Sequence, residues 1–258
     1  MLNPFKKLFL PMIHRLGRRK MDRVFDRDPV IIGGCGRSGT TLLLSILSAH
    51  PSILAIPKEL SVFNYWEENE SDRLVPLRLD RLHREILRRR IPKGVHRWSE
   101  KTPRNVRHIP EIMDYFDGKA KFIHIIRDGR DVTLSRHPDR KDDWWVSPDR
   151  WVEDVRAGLE HAEDPNVLTV YYEQLVRNYE ATMQQVCDFI DEPFTDSLRQ
   201  WHEHSTVRSS NAWHTGVREL SDRSVEKWRK PENKTRVKEF EKNREAMKLI
   251  EELGYPLS

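Results

Sequence analysis

The sequence predicts an α/β fold in which a central parallel sheet is flanked by helices. Short apolar segments rich in β-branched residues alternate with longer segments of helical periodicity. That alternation is typical of parallel strands joined by crossover helices. A chain of 258 residues suits a single domain with a sizeable core, and no Gly/Ser-rich or Pro-rich linker divides it.

Each predicted strand is an apolar, β-branched run bounded by glycine, proline or charged residues. The main strands lie near residues 30–34, 121–126 and 167–171, and shorter ones lie near 53–56 and 96–99. Helices are predicted where apolar residues recur at helical intervals. They cover residues 39–48, 105–116, 128–136, 149–162, 173–190 and 235–253.

Ahead of a single domain at 29–258, residues 1–28 form a basic amphipathic segment. Its apolar residues recur at helix-like intervals among lysines and arginines; they are Phe5, Leu8, Phe9, Met12, Ile13 and Leu16. Such a segment can bind an anionic membrane peripherally, although Pro4 and Pro11 weaken a helix there. Packing against the domain and disorder are the alternatives.

A glycine-rich loop follows the first strand and opens into a helix, with Gly34 and Gly39 five residues apart. This arrangement directs backbone N–H groups and a helix N-terminus at one point, and proteins bind phosphate in this way. The spacing fits a P-loop, but Thr40 stands where the nucleotide-binding motif has Lys. With Arg37 inside the loop, the pattern indicates a ligand with a shorter 5′ chain than a triphosphate.

Residues 34–42 (Gly-Cys-Gly-Arg-Ser-Gly-Thr-Thr-Leu), followed by 49–51 (Ala-His-Pro), resemble the 5′-phosphosulfate loop of sulfotransferases. These enzymes use 3′-phosphoadenosine-5′-phosphosulfate (PAPS), so the resemblance implies the sulfotransferase fold and PAPS as co-substrate. The likeness is to tyrosylprotein sulfotransferases and their bacterial relatives, because cytosolic phenol and steroid enzymes carry Lys at the place of Arg37. The resemblance implies that the 5′ side of PAPS is bound by Gly36, Arg37, Ser38, Gly39, Thr40 and Thr41.

A second block resembles the same family where the strand at 121–126 runs into a helical segment. The family binds the 3′-phosphate with an Arg and with a Ser eight positions later, which correspond to Arg127 and Ser135. We expect Ser135 about two turns into the predicted helix at 128–136. Asp128 could instead be read as the metal-binding carboxylate of a P-loop ATPase, but Arg127 directly before it argues against that. We expect Asp128 and Asp131 to cap the helix and to pair with arginines.

Three further segments match the family in the family's order, so that the resemblance covers residues 30–256. Residues 98–103 resemble its Lys-Thr/Asp-Pro segment, which implies that Lys101 stabilises charge on the leaving group. Residues 170–176 resemble its Tyr-Glu-Asp/Gln-Leu segment, which implies that Tyr172 lies near the adenine. Residues 224–229 resemble its Lys-Trp segment, which closes over the cofactor and implies a binding role for Lys227.

The general base is expected to be Glu59. Cytosolic sulfotransferases have a His two residues after the Lys of the Lys-Thr pair, but Pro103 occupies that place here. The resemblance implies that Glu59 corresponds to the Glu that tyrosylprotein-type enzymes use. An exposed Glu that begins a helix after Pro57 is the alternative for this residue, and His50 is the competing base, although Ala-His-Pro more often caps a helix.

Charge and cysteine content limit the classes of binding partner and the cellular location that the sequence predicts. The 45 Lys and Arg residues exceed the 41 Asp and Glu residues by 4, which suits an anionic cofactor but is too even to predict nucleic-acid binding. Only two cysteines occur, Cys35 and Cys187, so a disulfide framework is not expected and a reducing cytoplasm is the predicted location. No apolar run approaches 18 residues, and no metal is expected.

The predicted activity is transfer of a sulfuryl group from PAPS to a hydroxyl, or less readily an amine, with Glu59, Arg37 and Lys101 as catalytic residues. A peptide tyrosine, a glycan and a lipid-linked sugar all fit as the acceptor. Trp144 and Trp145 either shape the acceptor site or pack in the core or at an interface. A P-loop kinase or NTPase and a non-catalytic PAPS-binding protein are the alternatives.

Overall fold

A computed structural model describes residues 9–69, 72–137, 140, 142–208, 217 and 219–257. The strands, in chain order, are β1 (Val30–Gly34), β2 (Ile53–Ala55), β3 (Trp66–Glu68), β4 (Leu74–Pro76), β5 (Arg97–Lys101), β6 (Lys121–Ile126) and β7 (Val167–Tyr171). Five of them form a parallel sheet in the order β2–β5–β1–β6–β7, and β3 and β4 form a separate antiparallel pair. This confirms the predicted parallel α/β fold.

The α-helices, in chain order, are α1 (Leu10–Val24), α2 (Thr40–Leu47), α3 (Leu79–Arg88), α4 (Ile109–Tyr115), α5 (Gly129–Thr133), α6 (Pro148–Leu159), α7 (Tyr172–Arg177), α8 (Tyr179–Phe189), α9 (Asp196–Arg199), α10 (Trp201–His204), α11 (Lys234–Glu241) and α12 (Arg244–Glu252). Short 3-10 helices cover Val62–Asn64, Pro103–His108, Asp222–Ser224, Lys227–Arg229 and Pro231–Asn233.

Helices cover both faces of the sheet because alternate residues of each strand point to opposite sides. On β1, Val30 and Ile32 pack in a buried cluster with residues of α2 and α8. Ile31 packs in a second cluster on the other face, with residues of α3 and α4. The fully apolar β1 is therefore a central strand, paired with β5 on one side and β6 on the other.

Several predicted helices are shorter or divided. The helix predicted at 173–190 is two helices, because Asn178 has non-helical dihedral angles between them. The helix predicted at 235–253 is also two, and the Asn243 side chain caps the second one by accepting the N–H of Ala246. The helix predicted at 105–116 begins as a 3-10 helix at Pro103. The pair β3–β4 was not predicted.

The N-terminal segment forms a helix that packs on the domain. In α1, Pro11 lies in the first turn, where it has no hydrogen bond to break. Gly17 lies so close to His83 of α3 that an added Cβ would stand 2.4 Å from the His83 Cβ. Lys20 donates to the carbonyl of Arg89 at 2.7 Å. Residues 1–8 lie outside the described residues, and the boundary at residue 28 stays a prediction.

The parallel arrangement explains where a site forms. The carboxyl ends of the parallel strands meet at one edge of the sheet, where ligands bind in open α/β folds. That edge carries the loop after β1, Lys101 at the end of β5, Arg127 directly after β6 and Tyr172 directly after β7. The residues predicted from separate sequence blocks therefore meet at one place.

Candidate active site

The loop between β1 and α2 requires glycine at both ends. Gly34 ends β1 with φ +147°, and an added Cβ would stand 2.4 Å from the Ile125 carbonyl oxygen. Gly39 precedes α2 with φ +102°, and its added Cβ would stand 2.5 Å from Cδ2 of Tyr172. A side chain at either position would be strained and would collide with a neighbour. The predicted order of strand, tight loop and helix is thus confirmed.

The loop and the first turn of α2 offer donors to an anion. The first turn of α2 contains Thr40 and Thr41 and no acidic residue, so the positive end of the helix dipole is not neutralised there. Ser38 is fully buried, and its hydroxyl has no hydrogen-bond partner in the part of the chain that the structure describes. A buried hydroxyl without a partner is costly, and a bound anion at the loop would remove that cost.

Three cationic side chains lie close together at this edge. Burial lowers the pKa of the Arg37 guanidinium, and the neighbouring charge of Arg127 lowers it further. Burial also lowers the pKa of Lys227, again with the charge of Arg127 as the next cause. The carboxylates of Glu59 and Asp131 act in the opposite direction. Mutual repulsion among half-buried cations indicates a place built to receive negative charge.

Arg127 is held mainly by neutral groups, which leaves its charge available to a ligand. Its guanidinium donates to the carbonyl oxygens of Arg37, at 3.2 Å, and of Ser224. It lies 4.4 Å from the centre of the Tyr172 ring, a cation–π contact. Its Nε has no hydrogen-bond partner among the described residues, and Asp131 approaches only to 3.5 Å. An arginine held in this way can still make strong bonds to a phosphate.

A C-terminal segment returns to this site through Ser224 and Lys227. The Ser224 hydroxyl lies 2.6 Å from the Tyr172 hydroxyl. The N–H of Trp228 donates to Asp131 at 2.9 Å, and the Arg130 guanidinium stacks on the Trp228 ring at 3.6 Å. The sequence predicted Lys227 and Tyr172 but not the contacts of Ser224, for which its position three residues before Lys227 gives no signal.

The predicted position of Ser135 is wrong. Helix α5 ends at Thr133, so Ser135 lies just beyond the helix and not two turns into it. The chain leaves the helix here because the Ser135 carbonyl accepts the N–H of Trp145 at 2.9 Å and Arg136 pairs with Trp144 in an isolated β-bridge. A role for Ser135 in binding the 3′-phosphate stays a prediction.

Asp128 has both of the predicted roles, whereas Asp131 pairs with an arginine, Arg127, but does not cap the helix. Asp128 caps α5 by accepting the N–H of Arg130 at 2.9 Å, and its second oxygen accepts from the Arg130 guanidinium at 2.7 Å. Asp131 accepts the backbone N–H of Trp228. Asp128 is therefore committed to the helix and to Arg130. Its position gives no support to the interpretation of Asp128 as a metal-binding carboxylate.

Glu59, the predicted base, and Lys101, predicted to stabilise charge on the leaving group, form an ion pair. Lys101 ends β5 with a side chain that is 3% exposed, and its Nζ lies 2.5 Å from Oε1 of Glu59, whose side chain is 48% exposed. The charge of Glu59 also raises the pKa of Arg37, so all three predicted catalytic residues lie together. An ammonium has three N–H donors, and Lys101 can contact Glu59 and a second acceptor at once.

His50, the competing base, and Cys35, the cysteine of the loop after β1, are both buried. His50 is 3% exposed; its Nε2 lies 3.0 Å from the Pro193 carbonyl and its Nδ1 accepts the N–H of Ser52 at 3.2 Å. Burial raises the pKa of the Cys35 thiol well above its usual range, which suppresses the reactive thiolate. Both residues are therefore held in structural positions in this fold, and the assignment of Glu59 as the base stays a prediction.

The two tryptophans differ. Trp144 lies between the guanidinium groups of Arg136, at 3.6 Å, and Arg236, at 4.7 Å, which is a packing role. Trp145 lies against the phosphate loop, because a Cβ added to Gly36 would stand 3.2 Å from the indole Nε1. Trp144 is therefore held between two arginines, whereas Trp145 packs against a buried apolar cluster and also borders the candidate site.

The described residues contain neither a candidate metal-binding group nor a helix that could span a membrane. No group of three or more His, Cys, Asp or Glu residues in that part of the chain is arranged to hold a metal ion. None of the helices described is long and apolar enough to cross a membrane.

Comparison with known proteins identifies relatives over most of the chain. A family model described as "Sulfotransferase family" matches residues 29–196. The chain is 27% identical over 220 residues to protein-tyrosine sulfotransferase A of Caenorhabditis elegans, covering 72% of this chain and 56% of the relative. It is 26% identical over 202 residues to the protein-tyrosine sulfotransferase of Drosophila melanogaster, covering 67% and 40%. The chain thus spans about half the length of these curated relatives.

Solved structures share the fold. The sulfotransferase domain from the curacin biosynthetic pathway superposes with a TM-score of 0.59 at 18% identity, covering 91% of this chain and 100% of that domain. Mouse sulfotransferase SULT7A1, complexed with PAP, superposes with a TM-score of 0.50 at 17% identity, covering 94% of each chain. At these identities the structures establish the architecture alone.

Proposed function

The chain belongs to the sulfotransferase family, and we propose that it transfers a sulfuryl group from PAPS to a hydroxyl group of an acceptor. The observation that carries this proposal is the convergence of Arg37, Arg127 and Lys227 beside the loop after β1. A donor with phosphate groups at both its 3′ and 5′ positions brings negative charge to these three cations, which repel one another.

The residues fit PAPS in two groups. The loop at 36–41 and Arg37 would hold the 5′-phosphosulfate, because backbone N–H groups and a helix N-terminus meet there. Arg127, Ser135 and Lys227 would hold the 3′-phosphate and close over the nucleotide, with Tyr172 near the adenine. The mouse relative of the same fold has PAP, the nucleotide product, bound in its structure.

The proposed reaction is an in-line displacement at sulfur. As the acceptor oxygen bonds to sulfur, its proton passes to the Glu59 carboxylate, which acts as general base. The bond between sulfur and the 5′-phosphate oxygen breaks, and that oxygen keeps the electron pair and leaves with PAP. Lys101 and Arg37 stabilise the charge that develops on this oxygen. No metal is proposed for any step.

The alternatives fit the site less well. A P-loop kinase uses a Lys where this chain has Thr40, and the carboxylate nearest in sequence to Arg127 is committed to Arg130. A non-catalytic PAPS-binding protein has no use for Glu59 held 2.5 Å from a buried Lys101. Because both curated relatives are protein-tyrosine sulfotransferases, a peptide tyrosine is the acceptor we propose first, ahead of a glycan or a lipid-linked sugar.

The proposal is tested with PAPS that carries a radiolabelled sulfuryl group. Label should pass to tyrosine-containing peptides or to fractions of host extract, and calorimetry should show PAP binding. ATP with Mg²⁺ serves as the control donor. Binding of PAP without transfer to any fraction would favour the non-catalytic alternative, and phosphoryl transfer from ATP would favour a kinase.

We also propose peripheral membrane contact through α1, supported by its exposed surface. Phe9, Met12 and Leu16 are 51%, 52% and 43% exposed, and they follow one another at helical spacing. Exposed arginines, among them Arg15 and Arg19, accompany them on this surface, so it suits an anionic bilayer. The cytoplasmic location stays a prediction from the cysteine content.

Co-sedimentation of the full chain with phosphatidylserine vesicles tests the contact. Met12→Glu combined with Leu16→Glu should abolish sedimentation, whereas Leu257→Glu, at a site 52% exposed, is the matched control and should not. Equal sedimentation of all three proteins, or none by wild type, would exclude the contact.

A further inference from the structure

A fully buried carboxylate lies beside the catalytic lysine. Glu100 precedes Lys101 on β5 and is 0% exposed. Its Oε1 accepts the Thr102 hydroxyl at 2.5 Å and its Oε2 accepts the Asn105 amide at 2.8 Å. A buried carboxylate is costly unless it is fully bonded, so its presence in a strand calls for a reason.

The bonds of Glu100 lead to the loop that carries Glu59. Ser61, two residues after Glu59, donates its N–H to the Thr102 hydroxyl at 3.2 Å, and that hydroxyl donates to Glu100. The backbone N–H of Leu60 lies on the same side, where it favours the charged form of Glu100 and so acts to lower its pKa. The backbone that follows Glu59 is thus anchored on a buried network through Ser61.

The anchored loop has a backbone conformation that is rare for residues other than glycine. Ser61 has φ +50°, a left-handed conformation that a non-glycine residue adopts rarely. The Glu59 side chain is half exposed, and among its contacts the structure gives one ion pair, with Lys101. Its position therefore depends on where the backbone of residues 59–61 is held. A displacement of about 1 Å at a catalytic group can lower a rate about 10²-fold.

We propose that Glu100 and Thr102 are positioning residues, which hold residues 59–61 so that the Glu59 carboxylate stays beside Lys101. Their effect on catalysis passes through Glu59 and not through the nucleotide. This inference rests on the proposed function, because it takes Glu59 as the general base.

Thr102→Val tests the inference by removing the hydroxyl and keeping the shape. We expect kcat to fall at least about 10-fold, within the effect of a 1 Å displacement, while the Kd for PAP changes less than about 2-fold. Thr102→Ser, which restores the hydroxyl, should recover most of the rate. Thr169→Val is the matched control, because the Thr169 hydroxyl has no hydrogen-bond partner among the residues that the structure describes.

A double variant separates positioning from a general structural role. In a Glu59→Gln background, Thr102→Val should cause almost no further loss of kcat, because the group that it positions is already removed. A further loss equal to that in wild type would overturn the inference. So would a loss of PAP affinity that matches the loss of kcat.

Hydrogen exchange tests the inference without any transfer assay. The amides of Leu60 and Ser61 should exchange faster in Thr102→Val than in wild type, and Thr169→Val should leave them unchanged. Unchanged protection in Thr102→Val would overturn the positioning role, whatever the activity. Absence of sulfuryl transfer by wild type would instead overturn the proposed function, so the two failures are distinguishable.

Discussion

The two ends of strand β5 carry basic side chains that are equally buried but differently paired. At its amino end, Arg97 is bonded at 3.1 Å to Glu192, and both side chains are 3% exposed. At its carboxyl end, Lys101 is bonded at 2.5 Å to Glu59, whose side chain is 48% exposed. The first pair is enclosed by protein, and the second opens to solvent. An ion pair with one exposed partner beside unbalanced cations marks the functional end of the sheet.

The largest expected effect is the loss of turnover when Glu59 is removed from its pair with Lys101. Glu59→Gln should lower turnover by about 10²-fold or more, because the base that takes the acceptor proton is lost. The Kd for PAP should stay near the wild-type value, since Glu59 contributes to proton transfer and not to nucleotide binding. Single-turnover transfer and calorimetry measure the two quantities. Normal turnover in this variant would show that the base is misassigned.

The enclosed pair should give the opposite result. Glu192→Gln leaves the buried Arg97 charge without its partner and should lower the free energy of unfolding by about 3–5 kcal/mol. The rate per folded molecule should not change, because neither residue lies at the carboxyl edge. Denaturant unfolding measures the stability, and Glu59→Gln should lower it by less than Glu192→Gln does, because Glu59 is half exposed and water reaches this pair. Similar losses of stability in Glu192→Gln and Glu59→Gln would contradict the difference between the enclosed and the exposed ion pair.

Acid should weaken the fold through histidines that lie outside the site. Burial lowers the pKa of His124 to about 3 and, together with the charge of His14, that of His83 to about 4. Both stay neutral in the folded state while the unfolded chain binds protons below pH 6.5, so stability falls as pH falls through that value. Between pH 7 and 5 each histidine should lower it by about 1–2 kcal/mol.

His124→Leu isolates this effect. The variant should lose about 1–2 kcal/mol less than wild type over the same pH interval, because the proton-binding difference at His124 is gone. Denaturant unfolding at the two pH values provides the comparison. An unchanged loss in the variant would show that His124 does not contribute.

The smallest expected effect is that of metal removal. Transfer should persist in EDTA, because Arg37, Lys101 and the loop N–H groups are the proposed partners of the departing oxygen. The rate with and without EDTA is the measurement. An absolute requirement for Mg²⁺ would instead favour a kinase mechanism at the carboxyl edge of the sheet.

Sequence reasoning succeeded where the determining residues are local. The loop after β1 is read from consecutive residues, and Arg127 and Tyr172 directly follow strands, so parallel pairing brings them to one edge. It failed where distant contacts decide the structure. Helix α5 ends at Thr133 because Arg136 pairs with Trp144, which the propensity of residues 128–136 does not indicate.

The contacts of Ser224 and Glu100 also could not be predicted from the sequence. Ser224 reaches Arg127 and Tyr172 across the fold, and no spacing rule links residues so far apart. In the sequence, nothing distinguishes Glu100 from other charged residues that lie next to a motif, yet in the structure it is 0% exposed. Its role became visible only through the hydrogen bonds that connect it to the loop at 59–61.

The central claim is that the carboxyl edge binds a nucleotide with a 3′-phosphate, and calorimetry of Arg127→Ala tests it most directly. A charge-assisted bond to a buried phosphate contributes about 1.5–3 kcal/mol, so the variant should bind PAP at least about 10-fold more weakly. Adenosine 5′-phosphate, which lacks the 3′-phosphate, should bind wild type and variant alike. Equal losses for both nucleotides, or no loss for PAP, would contradict the account.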